Sequence, residues 1–257
     1  MTSRPSLRVT LLEAAAAIVL FAAIPVIVKF VSAGPFTIGI FRLSIATAGV
    51  LAIVAARRPS WRPSVRDLLP LAFIGALFFG HWITYFLAIK ASSASIGTIG
   101  LSTYGIHLLI LGRIFGGTRL HAVDIASVLL AVTGALIVVP SFDLTNEVTV
   151  GMLLASLSGL MYASLPILHQ RFAAIPNSIR ALGQFGFALL LFLLFLPKSR
   201  WDLRPIDWAG LTFLAVGSTL IGHTLWVRVT TRLSAAATSV IYYGNVPIAV
   251  LLSAALL

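Results

Sequence analysis

The sequence predicts an all-α integral membrane protein built from two five-helix repeats of inverted topology. Three observations predict this fold. Of the 257 residues, 59% are hydrophobic and only 10% are charged, against roughly 45–50% and 25% in soluble domains. Apolar runs of about 20 residues, the length that crosses a bilayer as a helix, follow one another with short polar breaks. The scarce residues of the first half also recur in the second, so the fold is duplicated.

Nine apolar stretches are predicted to be membrane-spanning helices. Lipid offers no hydrogen-bond partner to the backbone, and the runs are too long and too uniformly apolar for the alternating strands of a barrel. Breaks that contain Pro, Gly, Asp and Arg separate the stretches. The predicted spans are 11–31, 36–56, 68–89, 94–112, 122–140, 148–168, 178–197, 207–228 and 235–257.

The duplication is visible in glycine, histidine and proline residues. Apolar residues match often by chance, whereas these three types rarely recur in pairs at one offset. The pairs, 141 or 142 residues apart, are Gly75 and Gly217, Gly80 and Gly222, His81 and His223, Pro25 and Pro166, and Pro35 and Pro176. We therefore assign residues 1–140 to the first repeat and residues 141–257 to the second.

The repeat unit contains an odd number of helices, so its second copy enters the membrane from the opposite side. Inverted repeats of this kind are typical of secondary transporters. The counterpart of the span at 122–140 would lie beyond Leu257. The sequence thus predicts a tenth helix that these 257 residues do not include, with a nine-helix protein as the alternative.

The net charge of +11 carries information about topology. Nearly all lysines and arginines fall in the polar breaks and not on a wetted face that could neutralise the phosphates of a nucleic acid. Most arginines lie at the end of the bundle where the chain starts. The positive-inside rule then predicts a cytoplasmic N-terminus. We expect a multi-pass protein of the bacterial inner membrane.

The sequence argues against cysteine chemistry, metal sites and enzyme activity. The chain has no cysteine, which excludes disulfides, thiolate metal sites and cysteine nucleophiles. The five histidines are dispersed without metal-ligand spacing, so we predict no metal and no cofactor. An intramembrane hydrolase is the main alternative of another class, with Ser102 near His107, but a recognisable nucleophile elbow is missing. We predict that the protein is not an enzyme.

Two stretches carry a resemblance to a known family. The run "FRLSIATAGVLAI" at 41–53 precedes an aromatic-rich helix that ends in Tyr85, Ala88, Ile89 and Lys90, matching a Tyr-x-x-Ala-[Leu/Ile]-[Lys/Arg] pattern. The sequence resembles the EamA-type branch of the drug/metabolite transporter superfamily. The second copy departs from the pattern and keeps only Arg232.

The resemblance implies ten helices in two inverted repeats around a central cavity lined by both copies. It also implies transport of small metabolites such as amino acids, purines or drugs. Within the branch, the sequence looks most like the exporters of aromatic and other apolar amino acids. We expect a monomer in lipid whose partner is its small-molecule substrate.

Polar and aromatic side chains inside the spans are the candidates for substrate binding. Aromatic rings with polar tips suit an amphiphilic solute, and ionisable residues at this depth are functional candidates by default. The alternative interpretations are aromatic anchors at the membrane interface, aromatics that fill the core, and histidines satisfied by helix carbonyls. The candidates are His81, Trp82, Tyr85, Tyr104, Tyr162, His223, Trp226, Tyr242, Tyr243 and Asn245, with Phe86 as a further aromatic.

Prolines inside the spans indicate kinks, which can serve as gates or be purely architectural. They are Pro25, Pro166 and Pro247. Arg42 lies deep enough in its span to pair an anionic group, although such arginines more often snorkel to the surface. Since no Asp or Glu lies in a span interior, we expect facilitated diffusion by alternating access. A proton-coupled drug or metabolite exporter, a channel and a lipid flippase are the alternatives.

Overall fold

The protein is all-helical in the part that the computed structural model describes, namely residues 6–57, 64–117, 121–124, 126, 130, 133 and 144–257. Seven helices in these ranges are long and apolar enough to cross a membrane, and an eighth apolar helix, Asn177–Leu193, is shorter. The predicted helical membrane fold is confirmed. Most of the predicted span at 122–140 lies outside the described residues.

In its described residues up to Gly117, the first repeat forms three long helices and one broken helix. Ser6 caps the first of them by accepting a hydrogen bond from the Val9 amide, at 3.4 Å. Gly117 ends the last with a left-handed φ of 64°, which glycine adopts without strain. The helices are α1 (Leu7–Phe30), α2 (Pro35–Arg57), α3 (Val65–Ala91), α4 (Ala94–Leu101) and α5 (Tyr104–Gly116).

The second repeat follows the same plan with a shorter second helix. Asn146 caps its first helix, and a short 3₁₀ turn, Leu196–Lys198, follows its second. The helices are α6 (Glu147–Arg171), α7 (Asn177–Leu193), α8 (Pro205–Arg232), α9 (Ala235–Tyr243) and α10 (Asn245–Leu256).

Two spans that the sequence predicts as single helices are each broken in the middle. The predicted span at 94–112 divides into α4 and α5 at Ser102 and Thr103, and the span at 235–257 divides into α9 and α10 at Gly244. The hydroxyls of Ser102 and Thr103 donate to carbonyls three residues earlier, at 2.6 and 2.8 Å. Such bonds compete with the helical ladder and bend it. The two breaks lie at equivalent positions in the repeats, 142 residues apart.

The middle of α8 is a π-helix, Leu214–His223, whereas the matching part of α3 is a regular α-helix. In this segment the Thr219 hydroxyl donates to the Leu214 carbonyl, five residues earlier, at 2.7 Å. Wide turns of this type occur often at functional sites. Here the π-helix sets the direction of Thr219 and His223.

The first helices of the two repeats run in opposite directions. Near its start, α1 places Glu13 beside Arg228 at the end of α8, and it finishes with Phe30 beside Arg204, before α8 begins. Helix α6 starts near Ser92 and finishes where Gln170 donates to the Thr230 carbonyl. We call the end that holds Glu13 the N-terminal end, and the other the distal end.

The repeats pack closely, with α3 against α6 and α7, and α6 also against α4 and α5. Small residues allow α6 to pack closely against α4 and α5. A Cβ atom on Gly100 would come within 2.6 Å of the Ala155 Cβ, and one on Gly159 within 3.0 Å of the Tyr104 amide nitrogen. In lipid, helix association depends on such close packing. It brings the broken helix of the first repeat against the second repeat.

Candidate functional site: a closed aromatic cavity between the repeats

A cavity of about 20 Å³ lies at the centre of the bundle, between the two repeats. One water molecule needs roughly 10–15 Å³, so the cavity has room for about one water molecule. Helices of both repeats supply its walls. The lining residues are Phe21, Ile24, Arg42, His81, Trp82, Tyr85, Phe86, Leu101, Tyr162, His223, Tyr242 and Asn245.

Tyr162 is the centre of the ring contacts around the cavity. Its ring stacks on His81 with centroids 4.3 Å apart, and it contacts Tyr104 at 5.1 Å and Tyr242 at 5.8 Å. Its hydroxyl is buried, and no acceptor or donor among the described residues reaches it. Tyrosines usually pair this group when buried. The site therefore offers a free hydroxyl within an aromatic wall.

The two histidines of the repeat occupy the same wall but differ in their bonding. Ser158 donates its hydroxyl to the His81 carbonyl at 2.8 Å, so its Oγ accepts from the His81 Nδ1–H at 2.6 Å. This fixes the tautomer and orientation of His81. His223 packs between Phe21 and Phe78, with centroids 4.6 and 4.9 Å away, and its Nε2 has no partner among the described residues.

Arg42 lies fully inside the protein, with 0% of its surface exposed, and does not snorkel. Its Nε donates to the Thr219 hydroxyl at 2.9 Å. Its guanidinium carbon lies 4.0 Å from the centre of the Trp82 ring and 5.5 Å from that of Phe86. Neither terminal nitrogen reaches an acceptor among the described residues. The cavity thus has a positive wall.

The broken helices deliver polar groups from the second repeat. Asn245 follows the break at Gly244 and is 2% exposed, and its amide oxygen has no donor among the described residues. Pro247, two residues later, lacks the N–H that would bond the Tyr243 carbonyl in a regular helix. The break therefore places the Asn245 amide oxygen, a hydrogen-bond acceptor, at the cavity wall.

A second, smaller cavity of about 10 Å³ lies toward the N-terminal end. Trp226 and Pro166 line it, together with His169 and Gln184, which hydrogen-bond each other at 2.8 Å. Tyr162 and His223 line both cavities. These two rings, with centroids 5.9 Å apart, form the partition between the two cavities.

At the N-terminal end, a carboxylate joins the two repeats. Glu13 of α1 pairs with Arg228 at 2.5 Å and with Arg232 at 2.8 Å, both on α8. The side chain of Glu13 is 16% exposed and those of the arginines are about 30% exposed. We call this cluster the Glu13 latch.

At the distal end, the carboxylate of Asp207 of α8 joins the two repeats. It accepts hydrogen bonds from the Ser32 amide at 3.2 Å and the Ser32 hydroxyl at 2.5 Å, across the repeat boundary. It also pairs with Arg204 at 2.7 Å. Its side chain is fully buried. We call this cluster the Asp207 latch, and the two latches join the repeats at opposite ends of the bundle.

The structure brings most of the predicted binding residues together. Seven of the ten, and Phe86 as well, line the central cavity, while Tyr104 packs directly behind Tyr162 and Trp226 lines the second cavity. Tyr243 lies apart, against Gly105 of α5. Of the prolines, Pro25 is buried within α1 and Pro247 is exposed.

Sequence reasoning did not select several residues that shape the site. Phe21 lies one turn before Pro25, a spacing that could have placed it on the same helix face. Ser158 and Thr219 gave no signal, because hydroxyl residues are common in membrane helices. The sequence places Arg42 deep in its span, but its burial depends on α8, which the sequence alone does not place.

The duplicated fold matches a family of known transporters. The model of the EamA-like transporter family matches residues 9–139 and again residues 149–257. The chain belongs to the EamA-like transporter family. It is therefore a multi-pass membrane protein that transports small molecules, and the family is one of transporters, not of enzymes.

A solved structure supports the fold of this EamA-like transporter. The chain matches a crystal structure of a protein with a TM-score of 0.74, covering 97% of this chain and 89% of that one. The two sequences are 20% identical, so the likeness concerns the fold alone. The comparison with curated proteins gave no match.

Proposed function

We propose that this EamA-like transporter exports aromatic or other apolar amino acids across the bacterial inner membrane. The observation that carries the proposal is the central cavity, whose wall combines aromatic rings with one cationic and one amide group. Rings accommodate an apolar side chain. The Arg42 N–H groups can donate to the carboxylate of an amino acid, and the Asn245 amide oxygen can accept from its ammonium group.

The proposed mechanism is alternating access between two occluding latches. We assign the moving halves to residues 1–140 and 141–257, with the N-terminal end in the cytoplasm. Opening the Glu13 latch and displacing the partition of Tyr162 and His223 would admit solute from the cytoplasm. Opening the Asp207 latch would release it outside. Kinks at Pro25 and Pro166 are the proposed flexible points, and the transporter acts as a monomer.

A cavity with room for about one water molecule favours a carrier over a channel, because a channel must offer a wide continuous path while it conducts. We propose facilitated diffusion, since no carboxylate lies among the described residues that line the cavity. A proton-coupled metabolite exporter is the second candidate, favoured by the two buried histidines on the cavity wall. The two differ in their response to a proton gradient.

Counterflow in liposomes tests the proposed function. Purified protein is reconstituted in vesicles loaded with labelled phenylalanine, leucine, nucleobases or drugs. We expect saturable counterflow of the amino acids, reduced at least tenfold by Tyr85→Ala or Trp226→Ala, since Tyr85 belongs to the aromatic wall of the central cavity and Trp226 to that of the second cavity on the proposed path. Phe213→Ala, at a ring 42% exposed on the outside of α8, is the matched control.

The outcomes separate the candidates. Flux that never saturates would indicate a channel, and normal transport by both variants would contradict the assignment of the cavity. A proton-gradient dependence that disappears in His81→Gln would replace facilitated diffusion with proton coupling.

A further inference from the structure

Arg42 brings a positive charge to the central cavity that no described acidic residue neutralises. Among the described residues that line the cavity, none is acidic. Burying a charge without an ionic partner is costly, and ionisable residues inside membranes persist where they have a function. Among the described residues, therefore, no side chain explains why a charge is kept at this position.

The aromatic contacts of Arg42 account for only part of its bonding capacity. Trp82 and Phe86 stabilise the cation through their ring faces. A ring face, however, gives no lone pair in the plane where the guanidinium N–H bonds point. Both terminal nitrogens of Arg42 are buried, and no acceptor among the described residues reaches them. Up to four N–H bonds are thus available to a ligand.

The remaining nitrogen of Arg42 is held in place. Nε donates to the Thr219 hydroxyl, and that hydroxyl donates in turn to the Leu214 carbonyl within the π-helix. This chain of hydrogen bonds fixes one edge of the guanidinium. The other edge remains free to form two parallel hydrogen bonds, the geometry that matches the two oxygens of a carboxylate.

We infer that Arg42 is the binding group for the carboxylate of the transported solute. The inference rests on the proposed function and narrows it to a class, because solutes without a carboxylate leave the guanidinium unpaired. The apolar body of the solute then lies against Trp82, Phe86 and the tyrosines. Thr219 is a positioning residue, since it acts through Arg42.

Matched pairs of ligands test this inference. Binding to detergent-purified protein is measured by thermal stabilisation with phenylalanine, leucine and 3-phenylpropanoate, each against its amide, and with inorganic phosphate. We expect each carboxylate to bind about 10- to 100-fold more tightly than its amide, the range for hydrogen bonds to a charged group. Arg42→Met should abolish this ratio, and Arg42→Lys should retain part of it.

Two further variants keep the test decisive. Arg200→Met makes the same change at an exposed arginine and should leave the ratio unchanged. If Arg42→Met does not fold, Thr219→Val serves instead. This variant keeps the charge of Arg42 but removes the hydroxyl that orients its guanidinium, so the ratio of carboxylate to amide binding should fall severalfold. Equal binding of acids and amides by the unmodified protein, or an unchanged ratio in the folded variants, would overturn the inference.

The remaining outcomes separate this inference from the proposed function. Absence of carboxylate binding together with counterflow of neutral aromatic solutes would refute the role of Arg42 and leave a carrier. Carboxylate binding through Arg42 without counterflow would support the inference and refute transport. Protection by phosphate equal to that by the carboxylates would show a general anion site and overturn the carboxylate assignment.

Discussion

Asp207 should determine how often the transporter opens at its distal end. Its fully buried carboxylate accepts two hydrogen bonds from Ser32 across the repeat boundary. A hydrogen bond to a charged group contributes about 1.5–3 kcal/mol and a neutral one about 0.5–1.5. Asp207→Asn removes the charge and turns one accepting oxygen into an NH₂ donor, to which the Ser32 hydroxyl can reverse its bond, so both Ser32 bonds become neutral ones, each weaker by about 1 kcal/mol. The total of about 2 kcal/mol shifts the closed–open equilibrium about 30-fold.

Cysteine labelling measures this shift directly, because the natural chain has no cysteine. Ile24 lines the central cavity and is 7% exposed, so an Ile24→Cys variant should react with a membrane-impermeant thiol reagent only when the protein opens. In reconstituted vesicles, adding Asp207→Asn should accelerate labelling from the distal side about 30-fold. Adding Asp202→Asn, at an exposed carboxylate five residues earlier, should not.

The reasoning fails if Asp207→Asn leaves the labelling rate unchanged while the protein remains folded. It also fails if labelling accelerates equally from both sides, because that would indicate general loosening and not a distal latch.

Three further predictions follow from the packing. Glu13→Gln weakens two partly exposed ion pairs worth about 0.5 kcal/mol each, so labelling from the N-terminal side should accelerate only about fivefold. Gly159→Val forces side-chain atoms against the Tyr104 amide and should destabilise the protein by about 1–3 kcal/mol. Thermal unfolding measures this loss. The control is Gly34→Val, because a Cβ atom added there meets no atom within 4 Å. Arg180 donates to the carbonyls of His169 and Ile175, so Arg180→Met should lower the unfolding temperature, while the exposed Arg171→Met should not.

The length of the apolar runs made the spans predictable. In lipid the backbone must satisfy its own hydrogen bonds, so each run of about 20 residues becomes a helix whatever its exact side chains. The recurrence of Gly-His then placed His81 and His223 at equivalent depths. Both were candidates from the sequence, and both line the cavity.

The breaks and the latches could not be predicted in the same way. Ser102 and Thr103 end α4 because their hydroxyls bond the preceding turn, yet in other helices such residues cause no break. Glu13 and Arg228 are 215 residues apart in sequence, so their pairing depends on the packing of α1 against α8. Local sequence patterns contain no information about contacts between residues so far apart in the chain.

The unequal strength of the two latches has a consequence for direction. The Asp207 latch has a fully buried carboxylate, whereas the Glu13 latch is partly exposed and should be weaker. The substrate-free protein should therefore open more often at the N-terminal end, which an exporter would use for loading. Val227 lines the second cavity, so labelling of a Val227→Cys variant from the N-terminal side should exceed that of Ile24→Cys from the distal side. With each rate normalised to the unfolded protein, faster labelling at Ile24 would contradict both the ranking of the latches and the proposed direction.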